Sequence, residues 1–231
     1  SGASALSQDV ITVFESKFKT PLLEGYGLTE AAPVVSMNRP GGQRRPGSVG
    51  LPLPSVSVRV VDSSDNDVPS GEVGELLVRG PNVMLGYLNQ AQATADAIRN
   101  GWMHTGDMAR IDKDGFIYLV GRLKEMINVR GFNVYPREVE EVLYQLPYVR
   151  EAAVVGVDHP RKGEVPVAFL VMDPGSDVSD REILQYLKEH LAAYKIPSRV
   201  ERRDSLPKNA TGKVLKYELK EESEQELAGK Q

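Results

Sequence analysis

Residues 165 to 172 read Val-Pro-Val-Ala-Phe-Leu-Val-Met, eight apolar positions in a row and the densest such run in the chain. A membrane-spanning helix needs ~18 to 20 apolar residues, whereas a strand buried on both faces needs about this many. The run therefore predicts a core strand, and no segment predicts a transmembrane helix. A second apolar strand is predicted at 152 to 157. Helical patterns flank the pair. Pro136 opens one, in the position where its missing N–H costs nothing, with Val139, Val142, Leu143 and Leu146 as its buried stripe. Ser179-Asp180-Arg181-Glu182 forms a capping box before Ile183, Leu184, Leu187 and Leu191. Alternation over 126 to 134 predicts a hairpin turned by Arg130-Gly131, and a last strand is predicted near 199 to 203. The resulting βαββαβ-like order makes residues 123 to 220 a compact α+β domain. The Glu-rich segment 221 to 231 is predicted to be a tail of frayed helix or disordered chain.

Upstream, residues 7 to 18 predict a helix with Ser7 as N-cap and a broad apolar face of Val10, Ile11, Val13, Phe14 and Phe18. A short strand is predicted at 21 to 23. Residues 38 to 54, rich in Gly, Pro and Arg, predict a long loop. Strands follow at 56 to 61, 75 to 79 and 115 to 120, with one helix at about 91 to 99. Residues 47 to 120 thus predict a small antiparallel β region, and the whole chain predicts an α+β fold with domains at 1 to 122 and 123 to 220.

The chain has 231 residues, with 28 basic against 32 acidic side chains and a net charge of −4. That balance disfavours a general electrostatic grip on nucleic acid. Zero cysteines remove disulfides, thiolate-ligated zinc and cysteine nucleophiles, and fit a reducing cytosol. His104, His159 and His190 are scattered without metal-ligand spacing. There is no internal repeat. Ser1 to Ser7 contain neither a basic segment nor an apolar core, so they read as the middle of a longer protein rather than a secretory signal.

The chemistry concentrates at residues 25 to 30, Gly-Tyr-Gly-Leu-Thr-Glu. Gly25 and Gly27 allow close backbone approach, Tyr26 offers a ring, Thr29 a hydroxyl and Glu30 a carboxylate. A carboxylate beside a phosphate-binding hydroxyl repels the ligand unless a hard cation lies between them, so Thr29-Glu30 suggests a magnesium-bound nucleotide phosphate. Thr105-Gly106-Asp107 is predicted in a turn, where Asp107 either aims at a vicinal diol or makes a simple Asx turn. Arg122 is either a donor to ribose or phosphate oxygens or a surface arginine at a strand end. Lys124 falls where the two domains meet, as a hinge or a plain linker. Residues 207 to 213, Pro-Lys-Asn-Ala-Thr-Gly-Lys, fail as a Walker A loop because Pro207 replaces the first glycine and Val214 follows the lysine. Lys213 on such an exposed loop can still be delivered to a phosphate or carboxylate. Gly25-Tyr26-Gly27 likewise lacks the third glycine of a dinucleotide fingerprint, since Glu30 stands in its place.

Five motifs in order carry a resemblance: Gly25 to Glu30, Gly-Trp-Met-His-Thr-Gly-Asp at 101 to 107, Gly-Arg-Leu-Lys-Glu at 121 to 125, Gly-Phe-Asn-Val-Tyr-Pro-Arg-Glu-Val-Glu at 131 to 140, and Pro207 to Lys213. Together they resemble the adenylate-forming superfamily of acyl-CoA synthetases, luciferases and adenylation domains of peptide synthetases. The wording is most similar to bacterial long- or medium-chain fatty-acid CoA ligases. The resemblance implies that residues 1 to 122 are the C-terminal part of a large AMP-binding domain and 123 to 220 its lid. It implies ATP or AMP, Mg2+ and coenzyme A as ligands and a carboxylic acid, a fatty acid in the first reading, as substrate. By motif, Tyr26 would stack on adenine, Thr29 would bind the α-phosphate and Glu30 would hold magnesium. Asp107 and Arg122 would grip the ribose, Lys124 would be the hinge, Gly131 would line the CoA tunnel, and Lys213 would serve adenylation. The family's Ser/Thr/Gly-rich phosphate loop is missing from these residues, so the chain alone is expected not to turn over ATP appreciably. An aryl-CoA or carrier-protein ligase and a catalytically incompetent nucleotide-binding fragment stay open as alternatives. The location implied is cytoplasmic, with peripheral contact at the inner membrane face left open. Ala228-Gly229-Lys230-Gln231 is not a peroxisomal address.

Overall fold

A computed structural model describes residues 1–2, 8–159, 163–210 and 212–228. The chain divides into two compact units, Ser1–Leu123 and Lys124–Gln231. The fold is α+β, built from antiparallel sheets and short helices. No helix among the described residues is long and apolar enough to cross a membrane.

The first unit opens with α1, Gln8–Phe18. Its predicted N-cap, Ser7, lies outside the described residues. Its apolar face is narrower in use than the sequence predicts: Ile11 is buried, while Val10, Val13 and Phe18 are exposed. Residues 21 to 23 do not form the predicted strand. Pairing begins at β1, Gly25–Gly27, which runs antiparallel to β2, Val34–Met37, and β2 in turn to β3, Leu51–Pro52. Pro21 has no N–H to give a ladder, and Leu22 instead donates its N–H to Glu15 Oε1 at 2.8 Å.

A second sheet orders β4 (Ser57–Val61), β5 (Gly74–Arg79), β7 (Trp102–Ile111) and β6 (Ile98–Arg99), with β8 (Ile117–Arg122) also on β7. All its pairings are antiparallel. The helix predicted at about 91 to 99 is α2, Ala91–Ala97, and it stops where Ile98-Arg99 enter the sheet. The cause is the Asn100-Gly101 pair, both with positive φ (51° and 77°), which closes a two-residue hairpin onto Trp102 and Met103. Tyr26, Ala31, Val35, Leu76, Val78 and Ile117 belong to one buried cluster that joins the two sheets.

Thr105-Gly106-Asp107 do not form the predicted turn; they lie inside β7. Glu75 and Leu77 are two residues apart on β5, yet their partners Met108 and His104 are four apart on β7. The additional residues form a bulge, opened by Gly106 at φ 67°. Thr105 Oγ1 stabilises it by donating to the Leu76 carbonyl at 2.7 Å and accepting from the Asp107 N–H at 3.0 Å.

The second unit carries β9 (Ile127–Val129), β10 (Phe132–Val134), β11 (Val149–His159), β12 (Gly163–Met172) and β13 (Arg199–Arg202). The sheet order is β10-β9-β12-β11, with β13 parallel to β12. Alternate residues explain the unbroken apolar runs. Ala152, Val154, Ala168 and Leu170 pack with Val139 and Leu143 of α3 (Pro136–Leu143) and Ile183 and Leu187 of α4 (Asp180–His190). Ala153, Val155, Val167 and Phe169 pack on the other face with Leu206 and Leu219. Both faces of the central strands are covered, so neither needs polar residues. Leu146 is buried but lies beyond the end of α3. The capping box is complete, with Ser179 Oγ accepting from the Glu182 N–H and the Glu182 carboxylate accepting from the Ser179 N–H.

Of the segment predicted to be frayed helix or disordered chain, residues 221 to 228 are helical, and 229 to 231 lie outside the described residues. α5 runs Lys216–Ala228, with Leu219 in the core and Ser223 fully buried against Arg199.

Candidate nucleotide site

In the first unit, β1 presents the hexapeptide and ends in a single 3-10 turn, Thr29–Ala31. The turn closes through Ala32, at φ 50°, and the Leu28 N–H donates to the Pro33 carbonyl at 2.8 Å. That return is so tight that a Cβ on Gly27 would lie 1.9 Å from Pro33 O. The glycine therefore serves the approach of the chain's own backbone, a reason different from the ligand approach predicted by the sequence.

Tyr26 is 8% exposed, and its hydroxyl donates to Asp107 Oδ2 at 2.6 Å. Burial first, and then the Asp107 charge, push the Tyr26 phenol pKa up, so it remains a donor at any working pH. Arg122 Nε pairs with the other oxygen, Asp107 Oδ1, at 2.8 Å. Asp107 and Arg122 are also register partners on β7 and β8. The structure thus brings together Tyr26, Asp107 and Arg122 from three strands. Asp107 is held at both oxygens, and each retains lone-pair capacity for a further donor such as a diol hydroxyl.

Thr29 is exposed at the start of the turn, and Glu30 follows it half-buried. Glu30 Oε1 accepts from the Tyr87 hydroxyl at 2.8 Å, a contact spanning 57 positions. The hydrogen bond to Glu30, ahead of burial, raises the Tyr87 phenol pKa. Glu30 Oε2 has no hydrogen-bond partner among the described residues. No local sequence pattern marks Tyr87, because its contact with Glu30 forms only when a segment 57 positions away returns to the hexapeptide turn.

In the second unit, Lys124 lies exposed in a 3-10 turn, Leu123–Glu125. Arg130 and Gly131, at φ 53° and 89°, make the predicted two-residue hairpin between β9 and β10. The Gly131 N–H donates to Asn128 Oδ1 at 2.9 Å, and a Cβ at this glycine would meet nothing within 4 Å. Lys213 is exposed beside Gly212 (φ 84°), on a loop closed by bonds with Asn209, one of them from the Gly212 N–H to the Asn209 carbonyl at 3.0 Å. The Lys213 N–H donates to Asn209 Oδ1 at 2.9 Å, and the Asn209 N–H to the Lys213 carbonyl at 3.0 Å. Thr211 lies outside the described residues. A cluster not anticipated from the sequence sits close by in the chain: Lys216 Nζ lies 2.7 Å from Glu140 Oε1 and 3.4 Å from Glu125 Oε2.

The family model of AMP-binding enzymes matches residues 1–88, and that of the AMP-binding enzyme C-terminal domain matches residues 138–213. The chain belongs to the AMP-binding enzyme family. Among curated relatives, a long-chain-fatty-acid CoA ligase of Escherichia coli O6:H1 is 48% identical over 202 residues, which is 87% of this chain and 36% of the relative. A feruloyl-CoA synthase of an Amycolatopsis species is 46% identical over 199 residues, 86% of this chain and 40% of the relative. Among solved structures, ATP-bound MatB from Rhodopseudomonas palustris aligns with a TM-score of 0.93 at 37% identity, covering 96% of this chain and 44% of that one. The chain therefore spans less than half the length of these relatives. The relatives it resembles at 46 to 48% identity include both a fatty-acid CoA ligase and a feruloyl-CoA synthase.

Proposed function

We propose that the chain carries the nucleotide-binding turn and the lid of an ATP-dependent acyl-CoA synthetase acting on fatty acids. In the intact enzyme a carboxylate oxygen bonds to the α-phosphorus of ATP as the bond to pyrophosphate breaks. The CoA sulfur then bonds to the acyl carbon, AMP leaves with the electron pair, and the thiol proton is released. The observation that carries this reading is the pair of carboxylates, Asp107 and Glu30, each anchored by a tyrosine hydroxyl around one tight turn.

In this reading Asp107 and Arg122 hold the ribose hydroxyls, the Tyr26 ring borders the adenine, and Thr29 donates to the α-phosphate. Glu30 suits magnesium, which is bound through one or two carboxylates together with substrate phosphates and waters. No group of three or more His, Cys, Asp or Glu among the described residues could hold a metal by itself. One carboxylate with an unpartnered oxygen, Glu30 Oε2, matches a cation that arrives with the nucleotide. Magnesium held there would neutralise phosphate charge during the first step. Lys213 is assigned to charge stabilisation in adenylation, Gly131 to the passage of the CoA arm, and Lys124 to a hinge between the two steps. A cytoplasmic location accompanies the fatty-acid reading, with peripheral contact at the inner membrane face left open, and the zero cysteines are compatible with a reducing compartment.

Similarity to a long-chain-fatty-acid CoA ligase supports the fatty-acid substrate, and the nearly equal identity to a feruloyl-CoA synthase supports an aryl acid as the second reading. The test is pyrophosphate release by the intact enzyme with fatty acids of graded length and with hydroxycinnamic acids. Turnover confined to fatty acids supports the first reading, and turnover confined to aryl acids replaces it with the second. Release of no pyrophosphate with either class, under conditions where nucleotide binds, would reject catalysis and favour a binding fragment.

A further inference from the structure

The segment from Asn82 to Tyr87 grips the hexapeptide turn at both backbone and side chain. Asn82 Nδ2 donates to the carbonyls of Ala31 (3.1 Å) and Val34 (2.9 Å), and the Met84 N–H donates to the Glu30 carbonyl at 2.8 Å. The Tyr87 hydroxyl then reaches Glu30 Oε1 at 2.8 Å. Tyr87 is itself held from behind. Its N–H donates to Thr94 Oγ1 at 2.9 Å, and Thr94 Oγ1 donates to the Gln90 carbonyl at 2.9 Å, near the start of α2. Gly86 permits that approach, since a Cβ there would lie 2.7 Å from Thr94 Cγ2. A continuous line of contacts thus runs from α2 through Thr94 and Tyr87 to one oxygen of Glu30.

A free glutamate samples several side-chain rotamers and can present either oxygen, or both, to a cation. Anchoring Oε1 narrows that freedom, occupies one of the lone pairs of Oε1 and leaves Oε2 as the oxygen with no partner among the described residues. Loss of a partner that orients a metal-binding carboxylate typically costs about 10- to 100-fold in metal affinity.

We propose that Tyr87 is a positioning residue for the cation site, fixing Glu30 so that its unpartnered oxygen, Oε2, is the one offered to the magnesium of the bound nucleotide. The proposal rests on the assignment of Glu30 as the magnesium-binding carboxylate, and the two fail differently. Tyr87 acts through Glu30 and contacts no substrate in this scheme.

The test is made on the intact enzyme, by equilibrium binding of a non-hydrolysable ATP analogue while Mg2+ is titrated. AMP affinity without metal and the thermal midpoint are measured alongside. Tyr87→Phe removes one oxygen and keeps the ring. The expected result is a rise of about 10-fold or more in half-saturating Mg2+, with AMP affinity unchanged and no more than a small fall in thermal midpoint. Glu30→Gln should give at least as large a rise, and the double variant should add little to Glu30→Gln. An unchanged Mg2+ requirement in Tyr87→Phe, with a raised one in Glu30→Gln, overturns the proposal and leaves the Glu30 assignment standing. No change in either variant overturns both. A loss of AMP affinity as large as the rise in Mg2+ requirement marks Tyr87 as a structural prop, and that too overturns the proposal.

Discussion

The Tyr26 hydroxyl lies 2.6 Å from Asp107 Oδ2, joining β1 to the bulge in β7 across 81 positions of sequence. The bond is buried, and its donor cannot ionise at working pH because burial and the Asp107 charge both hold the proton on. A hydrogen bond to a charged group is worth about 1.5 to 3 kcal/mol, roughly 10- to 100-fold in an equilibrium constant.

Tyr26→Phe separates two roles for this residue. If the ring serves the nucleotide only as a flat surface, phenylalanine preserves that role and AMP binding is unchanged. If the hydroxyl holds Asp107 for the ribose, AMP affinity falls about 10-fold or more. Titration calorimetry of the intact enzyme with AMP reads the difference, and we expect the second result.

Lys213→Ala should lower adenylation by ~10² to 10³, the usual loss when a preorganised charge-stabilising group is removed. Thioester formation from supplied acyl-adenylate should persist, because under the hinge proposal Lys213 is delivered to the nucleotide for the first step and withdrawn for the second. The loop has its own closure through Asn209, so alanine leaves its backbone bonds in place. Equal losses in the two half-reactions would count against a role confined to the first.

Two glycines test conformation against chemistry. Gly27→Ala forces a Cβ into the Pro33 carbonyl, where no side chain can move aside, so the Thr29-Glu30 turn must shift. Overpacking of this kind costs roughly 1 to 3 kcal/mol, and both thermal stability of the first unit and nucleotide affinity should fall. Gly131→Leu meets open space but requires a left-handed backbone at φ 89°. Its expected effect is a modest stability loss of about 1 kcal/mol and a block of the thioester step with adenylation spared. An equal fall in adenylation would remove Gly131 from the CoA path.

Local signals carried much of this structure. The capping box at Ser179, the proline that opens α3, the Arg130-Gly131 hairpin and the two-faced apolar strands depend on residues close in sequence, whose chemistry has few other outcomes. The Asn100-Gly101 hairpin was equally legible as an Asn-Gly pair, but the helical pattern before it masked the change of state. The bulge at Gly106 was not legible, because an Asp after a Gly reads as a turn unless the facing strand is known. Tyr87 and the Lys216 cluster lay further out of reach. Each acquires its partner only when elements 57 to 91 positions apart are packed together, and no periodicity encodes that. The apolar face of α1 was overread: period 3.6 marks a helix, but the number of its apolar residues that become buried depends on what packs against it.

Lys216 provides a test with a definite pH window. Burial by itself would lower its ammonium pKa, but the charges of Glu140 and Glu125 outweigh burial and raise it. Glu140 Oε1 also accepts from the Val154 N–H at 2.7 Å, so the cluster ties the start of α5 to α3, β11 and the turn that holds Lys124. Because the folded pKa lies above the unfolded value of about 10.4, the stabilisation is fully present below that pH. It is lost as pH rises through the folded value. Lys216→Met removes the cation and leaves two carboxylates facing each other in a partly buried site. The loss for fully buried pairs is about 3 to 5 kcal/mol; partial exposure here reduces the expectation to about 2 to 3 kcal/mol at neutral pH. Urea unfolding of wild type and variant at pH 8 and above pH 11 measures the gap between them. The gap should be constant through neutral pH and shrink on the alkaline side, and a gap of unchanged size above pH 11 would show that the loss comes from packing of the lysine stem rather than from its charge.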